Sequence, residues 1–231
     1  MGERAQQPTG SASVISASDA LRDVAGLGGF FALPTTADAG ALSFPDGFAA
    51  RAREVNRRYA TNEARVGWSI AHLGLAARLW SPVLACTVIH GIVLDLSGGL
   101  EWADGTSGIR LRGPAAGRPV GQLPDVGRAV YEQVSGPLAA LEDTFEVKVA
   151  MRLLDGNVAS ALVGSAAVLL RARPEVRPAL MPLTHALLTT GRLSGTGDVT
   201  GPDLTFRRRS CCLFYRAPGG GKCGDCCLLD D

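Results

Sequence analysis

The chain has 231 residues, of which 46% are hydrophobic and 19% charged. That supports one substantial core, in one large domain or a domain with a small appendage. A net charge of +1 removes the bulk electrostatic case for nucleic acid or a membrane surface as partner.

Residues 1–18 are small and polar without a period and are expected to be disordered. They lack a cationic start followed by an apolar stretch, so no secretory signal is expected, and the expected location is the cytoplasm. No window reads as roughly 18 consecutive apolar residues, so no membrane span is expected. Residues 27–42, with Gly28-Gly29 and Pro34, read as an irregular lead-in holding at most a short helix or strand. Phe48, Ala52, Val55 and Tyr59 share one helical face, and Val66, Ile70, Leu73, Ala77 and Trp80 repeat that spacing after a cap at Asn62. Ser81-Pro82 reads as a new helix start. Residues 83–96 are ambiguous: β-branched residues favour strand, and the start signal favours a helix ending near Gly91.

Residues 100–112 carry the clearest strand signal. Leu100 and Trp102 alternate with Glu101, Ile109 and Leu111 alternate with Arg110, and Asp104-Gly105 forms the turn between them. Residues 113–124 read as a Pro/Gly loop. Val126, Val130 and Val134 share a helical face that Gly136-Pro137 should break, and Leu138, Leu141, Phe145 and Val149 form the next. Residues 158–170 are apolar on nearly all sides and should be the buried central helix. Pro174 and Pro182 bracket or kink a last helix near 175–190, residues 191–203 form a linker, and 205–210 are extended and basic. The fold class is α+β: a mostly helical body over 19–204 with a small antiparallel hairpin, and a cysteine-rich segment over 205–231.

Five of the six cysteines stand in the last 21 residues: Cys211-Cys212, ten residues, Cys223, two residues, Cys226, and Cys227 directly after it. Clustered thiolates select zinc, copper(I) or an iron–sulfur centre. In a reducing compartment they are metal ligands more often than disulfides. The segment has too few apolar residues to fold alone, so a metal site would organise it. Cys223-Gly-Asp-Cys226 suits a zinc knuckle but the adjacent Cys211-Cys212 does not, and the two standard ferredoxin spacings are absent. The residues by themselves therefore leave four thiolates holding either an iron–sulfur cluster or zinc.

The full pattern, preceded by Arg208-Arg209-Ser210, resembles the C-terminal [2Fe–2S] motif of the ferric-siderophore reductases of the FhuF type. Residues 76–82 (Ala-Ala-Arg-Leu-Trp-Ser-Pro) look like that family's aromatic-then-proline segment, and Gly156-Asn157 looks like its Gly-Asn helix start, so the resemblance spans roughly residues 45–229. It implies a [2Fe–2S] cluster on Cys211, Cys212, Cys223 and Cys226; Cys227 departs from the motif and is either an alternative fourth ligand or a free thiol beside the cluster. It also implies a cytoplasmic reductase that passes one electron to the Fe(III) of a siderophore, releasing softer Fe(II) for iron assimilation.

Arg207, Arg208 and Arg209, with Arg216 and Lys222, would compensate a negative cluster or steer an anionic chelate. Gly224 lets a backbone N–H approach a cluster sulfur, or only permits a tight turn. The glycines after residue 190 follow a helix rather than a strand and fit no dinucleotide or Walker loop. The electron donor is thus expected to be separate, such as a ferredoxin or a flavin or NAD(P)H reductase. His72, His90, Cys86, Trp68, Trp80 and Trp102 read as core or half-buried residues. Two rival functions stay open: a zinc-stapled interaction module, and a [2Fe–2S] electron carrier serving another enzyme.

Overall fold

A computed structural model describes residues 15–37, 42–102 and 108–229. The turn expected at Asp104-Gly105, and residues 1–14 of the expected disordered stretch, lie outside them. Within that stretch, however, Ser16 already caps α1 (Ala17–Ala25), accepting the Asp19 N–H at 3.1 Å. The helix forms because Ala20, Leu21 and Val24 share a buried face. A short turn at Gly29–Phe31 and strand β1 (Thr35–Thr36) follow.

Ser43 caps α2 (Phe44–Arg58), whose buried face carries Phe48, Ala52 and Val55 as the spacing predicts. The next helix, α3 (Ala64–His90), corrects two expectations. It starts after Glu63, not from a cap at Asn62, and it runs through Ser81-Pro82 without a break. An internal proline costs about 3 kcal/mol. Here Ser81, Pro82, Val83 and Leu84 are all buried, and Ser81 Oγ donates back to the Ala77 carbonyl at 2.8 Å. Burial on both sides of the proline offsets the lost N–H. The helix ends at left-handed Gly91 (φ 66°), and β2 (Ile92–Asp95) begins at once, so the ambiguous stretch is helix and then strand.

The expected hairpin is present. β3 (Leu100–Trp102) and β4 (Ile109–Arg112) are antiparallel, with Leu100 opposite Leu111 and Trp102 opposite Ile109. β1 adds parallel to the other edge of β4. The expected loop at 113–124 instead contains β5 (Ala116–Pro119), paired with β2.

Helix α4 (Val126–Glu142) continues through Gly136-Pro137, because Val134, Ser135, Leu138 and Leu141 are buried on both sides of the expected break. Helix α5 (Met151–Ala172) is the central helix; Gly156-Asn157 lies in its interior rather than at its start. Helix α6 (Arg177–Leu188) contains Pro182, and the expected linker carries β6 (Gly197–Val199), antiparallel to β7 (Phe206–Arg208).

The core is the α3–α5 seam. Trp80 is wholly buried there and donates its indole N–H to the Val158 carbonyl at 3.0 Å. By length and hydropathy both helices would qualify as membrane spans, but 67% and 72% of their most apolar windows are buried inside the fold. Their hydrophobicity is spent on each other. Trp68 and Trp102 are also core residues, and Cys86 is fully buried with its thiol pushed up to about 12 by desolvation. His72 is wholly inside, with Nε2 donating to Glu142 Oε1 at 2.7 Å, and His90 pairs with Asp23.

Candidate iron–sulfur centre

β7 carries the chain to the cysteines, and its register decides which arginine faces where. Phe206 and Arg208 point inward while Arg207 lies between them, half-exposed. Arg208 is only 1% exposed. It cannot line a substrate surface, which corrects its expected role in steering. Its Nη2 donates to Asn157 Oδ1 at 2.8 Å, and its backbone N–H to the Asp225 carbonyl at 3.1 Å. The second bond ties β7 to the Cys223–Cys226 turn. Gly156 makes this docking possible: a Cβ there would stand 2.1 Å from Ser210 Oγ and 2.9 Å from Arg208 Nη2.

A buried polar chain links the body to the thiols. Asn157 Nδ2 donates to the Ser69 carbonyl at 2.9 Å, and Ser69 Oγ donates to the Cys212 carbonyl at 2.7 Å. Ser69 and Asn157 were not singled out by spacing, since they lie 88 residues apart and meet only across the seam. Inward Arg208 did have a signal, because a strand places it on the same face as Phe206.

The thiols are gathered. Cys212 Sγ lies 3.5 Å from Cys223 Sγ, and a Cys226 N–H to Cys223 carbonyl bond of 3.1 Å closes the second turn. Cys212 and Cys226 are buried; Cys211, Cys223 and Cys227 are half-exposed. Two backbone amides donate to sulfur: Leu213 to Cys211 at 3.3 Å and Leu228 to Cys226 at 3.4 Å. Leu213 adopts φ +67°, a conformation that non-glycine residues reach only at a cost of about 1–3 kcal/mol.

Burial raises the Cys211 thiol; the Leu213 amide opposes this, and the neighbouring Cys212, Cys227 and Cys226 add to it. Burial likewise raises Cys223, with Asp225 and Cys212 pressing the same way. Of the two candidates for the fourth position, Cys226 is buried and accepts the Leu228 amide, whereas Cys227 is half-exposed. Gly224 has no positive φ, and a Cβ there would meet nothing within 4 Å, so no turn strain or close packing within the chain requires glycine at that place.

The donors fit an anionic metal–sulfur group. Arg208 Nε and Nη1 and Ser210 Oγ are buried without hydrogen-bond partners among the described residues. A buried cation with two unused donors is costly unless it faces negative charge. Thiolates around two ferric ions and two sulfides carry net negative charge and supply it. Among the described residues, no three Cys, His, Asp or Glu side chains converge on one point able to hold a single ion.

The other basic candidates lie nearer the surface. Arg209 pairs with Asp198 at 3.0 Å, largely exposed, and Arg216 with Glu63 at 2.7 Å, partly exposed. Arg207 donates to the Leu229 carbonyl, and Lys222 is exposed. Phe214 packs edge-on against Tyr59 with ring centroids 5.5 Å apart, holding the segment on the body, while Tyr215 is exposed.

The site thus defines a redox-type metal segment docked on a helical body. Residues 208–228 match the family model described as the FhuF 2Fe-2S C-terminal domain. The match covers about a tenth of the chain; it assigns a [2Fe–2S] cluster to this segment and supports the resemblance to the FhuF-type ferric-siderophore reductase family. No curated protein and no solved structure matches the chain.

Proposed function

We propose that the protein is a cytoplasmic ferric-siderophore reductase whose cluster is held by Cys211, Cys212, Cys223 and Cys226. When bound, a [2Fe–2S] group supplies transfer of single electrons. The observation that carries this reading is that the matched segment lies at the surface with Cys211 and Cys223 half-exposed, so a bulky chelate can come close to the thiolates. The chain's own residues do the rest. The Leu213 and Leu228 amides donate to sulfur, the buried Arg208 ties β7 to the Cys223–Cys226 turn through the Asp225 carbonyl, and Ser69 fixes the Cys212 peptide. Such donors and charges favour the reduced, more negative state. The electron arrives from a separate donor, a ferredoxin or a flavin or NAD(P)H reductase, and leaves to chelated Fe(III).

Stopped-flow mixing of dithionite-reduced protein with ferric hydroxamate, catecholate and citrate complexes tests this reading. Reoxidation well above buffer controls is expected with at least one; no acceleration with any of them ends the reductase assignment.

A further inference from the structure

We propose that the groove between α3 and α5 binds the apolar arm of an anionic ferric chelate, seating its iron beside the cysteine segment. The proposal rests on the reductase reading above and adds where, and by which part, the substrate is held.

The groove is a cavity of about 400 Å³, within the range of small-molecule sites. Leu73 and Ala77 of α3 form one wall, Ser160, Gly164 and Val168 of α5 the other, and Phe30 stands over the mouth. Phe30 and Val168 are 42% and 44% exposed, so apolar surface faces solvent at the rim. At Gly164 a Cβ would meet nothing within 4 Å, so that wall is open.

Both walls lead to the thiols. Ser69, whose hydroxyl holds the Cys212 carbonyl, precedes Leu73 by four residues on one face of α3. Gly156, against Ser210, precedes Ser160 by four on one face of α5. One helical turn, about 5.4 Å, separates the near end of the groove from residues that touch the cysteine segment.

Charge selects the sign of the occupant. The Arg78 guanidinium lies 4.4 Å from the Phe30 ring centroid and donates to the Gly74 carbonyl. It is half-buried and pairs with no carboxylate among the described residues. A cation at the lip of an apolar slot suits a molecule with a hydrocarbon or aryl arm and an anionic head. In the step itself one electron leaves the reduced protein and converts chelated Fe(III) to Fe(II), with no proton or covalent bond exchanged.

The test compares ferric citrate with ferric citrate monooctylamide as oxidants of dithionite-reduced holoprotein. The octyl arm is expected to raise the second-order rate about tenfold or more. Gly164→Leu, which fills the slot and favours helix, should abolish that gain while leaving the ferric citrate rate unchanged. Val168→Asp at the exposed rim should do the same if the first variant folds poorly. Gly136→Leu, placed in the separate cavity beside Leu96 and Leu141, should keep the gain. No gain from the octyl arm, or a gain retained in both groove variants, overturns the proposal with the reductase reading intact. If neither citrate chelate oxidises the protein, the reductase reading is judged by the hydroxamate and catecholate complexes, and binding of 1-anilinonaphthalene-8-sulfonate, followed by its fluorescence, still judges the groove. About tenfold weaker binding in Gly164→Leu supports it, and unchanged binding overturns it.

Discussion

Across the α3–α5 seam the buried groups include Trp80, Leu79, Val158 and Leu162, and from Arg208 at the end of β7 onward they include Arg208, Cys212 and Cys226. The first set gains by leaving water. The second loses by it once the cysteines ionise, because a guanidinium and thiolates are costly to take out of water. The body therefore folds on its own apolar area, and the segment borrows its fixed position from that body through Asn157, Ser69 and Gly156 while its own chemistry calls for a metal. The dependence should run one way: the body should survive loss of the cluster, whereas the cluster should not survive loss of the body.

The largest expected effect lies in the segment. Cys212→Ser and Cys226→Ser should abolish the visible absorbance and acid-labile sulfide of anaerobically reconstituted protein, with the helical circular dichroism kept. Cys227→Ser should retain both. Retention in Cys226→Ser with loss in Cys227→Ser would reverse the fourth ligand.

In the body, Trp80→Ala should cost about 4 kcal/mol in denaturant unfolding and take the cluster with it, since the docking surface melts. A loss under about 1 kcal/mol would show that the seam is not the core.

Glu142 offers a pH-dependent version of the same contrast. Burial alone would raise its pKa, but hydrogen bonds from His72 and Arg192 outweigh that and hold it below the usual 4.5. A lowered folded value means that its stabilisation is complete above about pH 4.5 and is lost as pH falls through the depressed pKa. Glu142→Gln should cost about 1–2 kcal/mol near neutrality, by leaving the half-buried Arg192 with Asp155 as its remaining carboxylate. It should also flatten the acid limb of stability against pH, and an unchanged limb would count against this role.

Asn157→Ala cuts the link between the two regions, leaving Arg208 Nη2 with only its long bond to the Leu153 carbonyl. About 2 kcal/mol of stability should go, and cluster loss to a chelator should speed up more than global unfolding does. Equal acceleration of both would mean that the two regions act as one unit. Smallest of all, Arg209→Ala should change stability by less than about 1 kcal/mol, since its pair with Asp198 is solvent-exposed; a larger loss would assign it a structural task.

Part of this picture needs only local information. The clustered cysteines narrow the cofactor to an iron–sulfur cluster or zinc, because ligand chemistry is set by residue type and separation, and the resemblance to the FhuF-type motif favours the first. The amphipathic α2, the hairpin at Leu100 to Arg112 and the end of α3 at Gly91 follow from periodicity and backbone preference acting over a few residues. Tertiary structure decided the rest. Pro82 and Pro137 sit inside helices because burial on both sides outweighs a missing hydrogen bond, and β5 exists because β2 lies beside it. Arg208, in a run of three arginines, becomes an interior cation rather than a surface one, and Ser69 and Asn157 become the support of the thiols, through contacts 88 and 51 residues apart. Pairings at such separations carry no local signal: their energy exists only once two helices have been brought together.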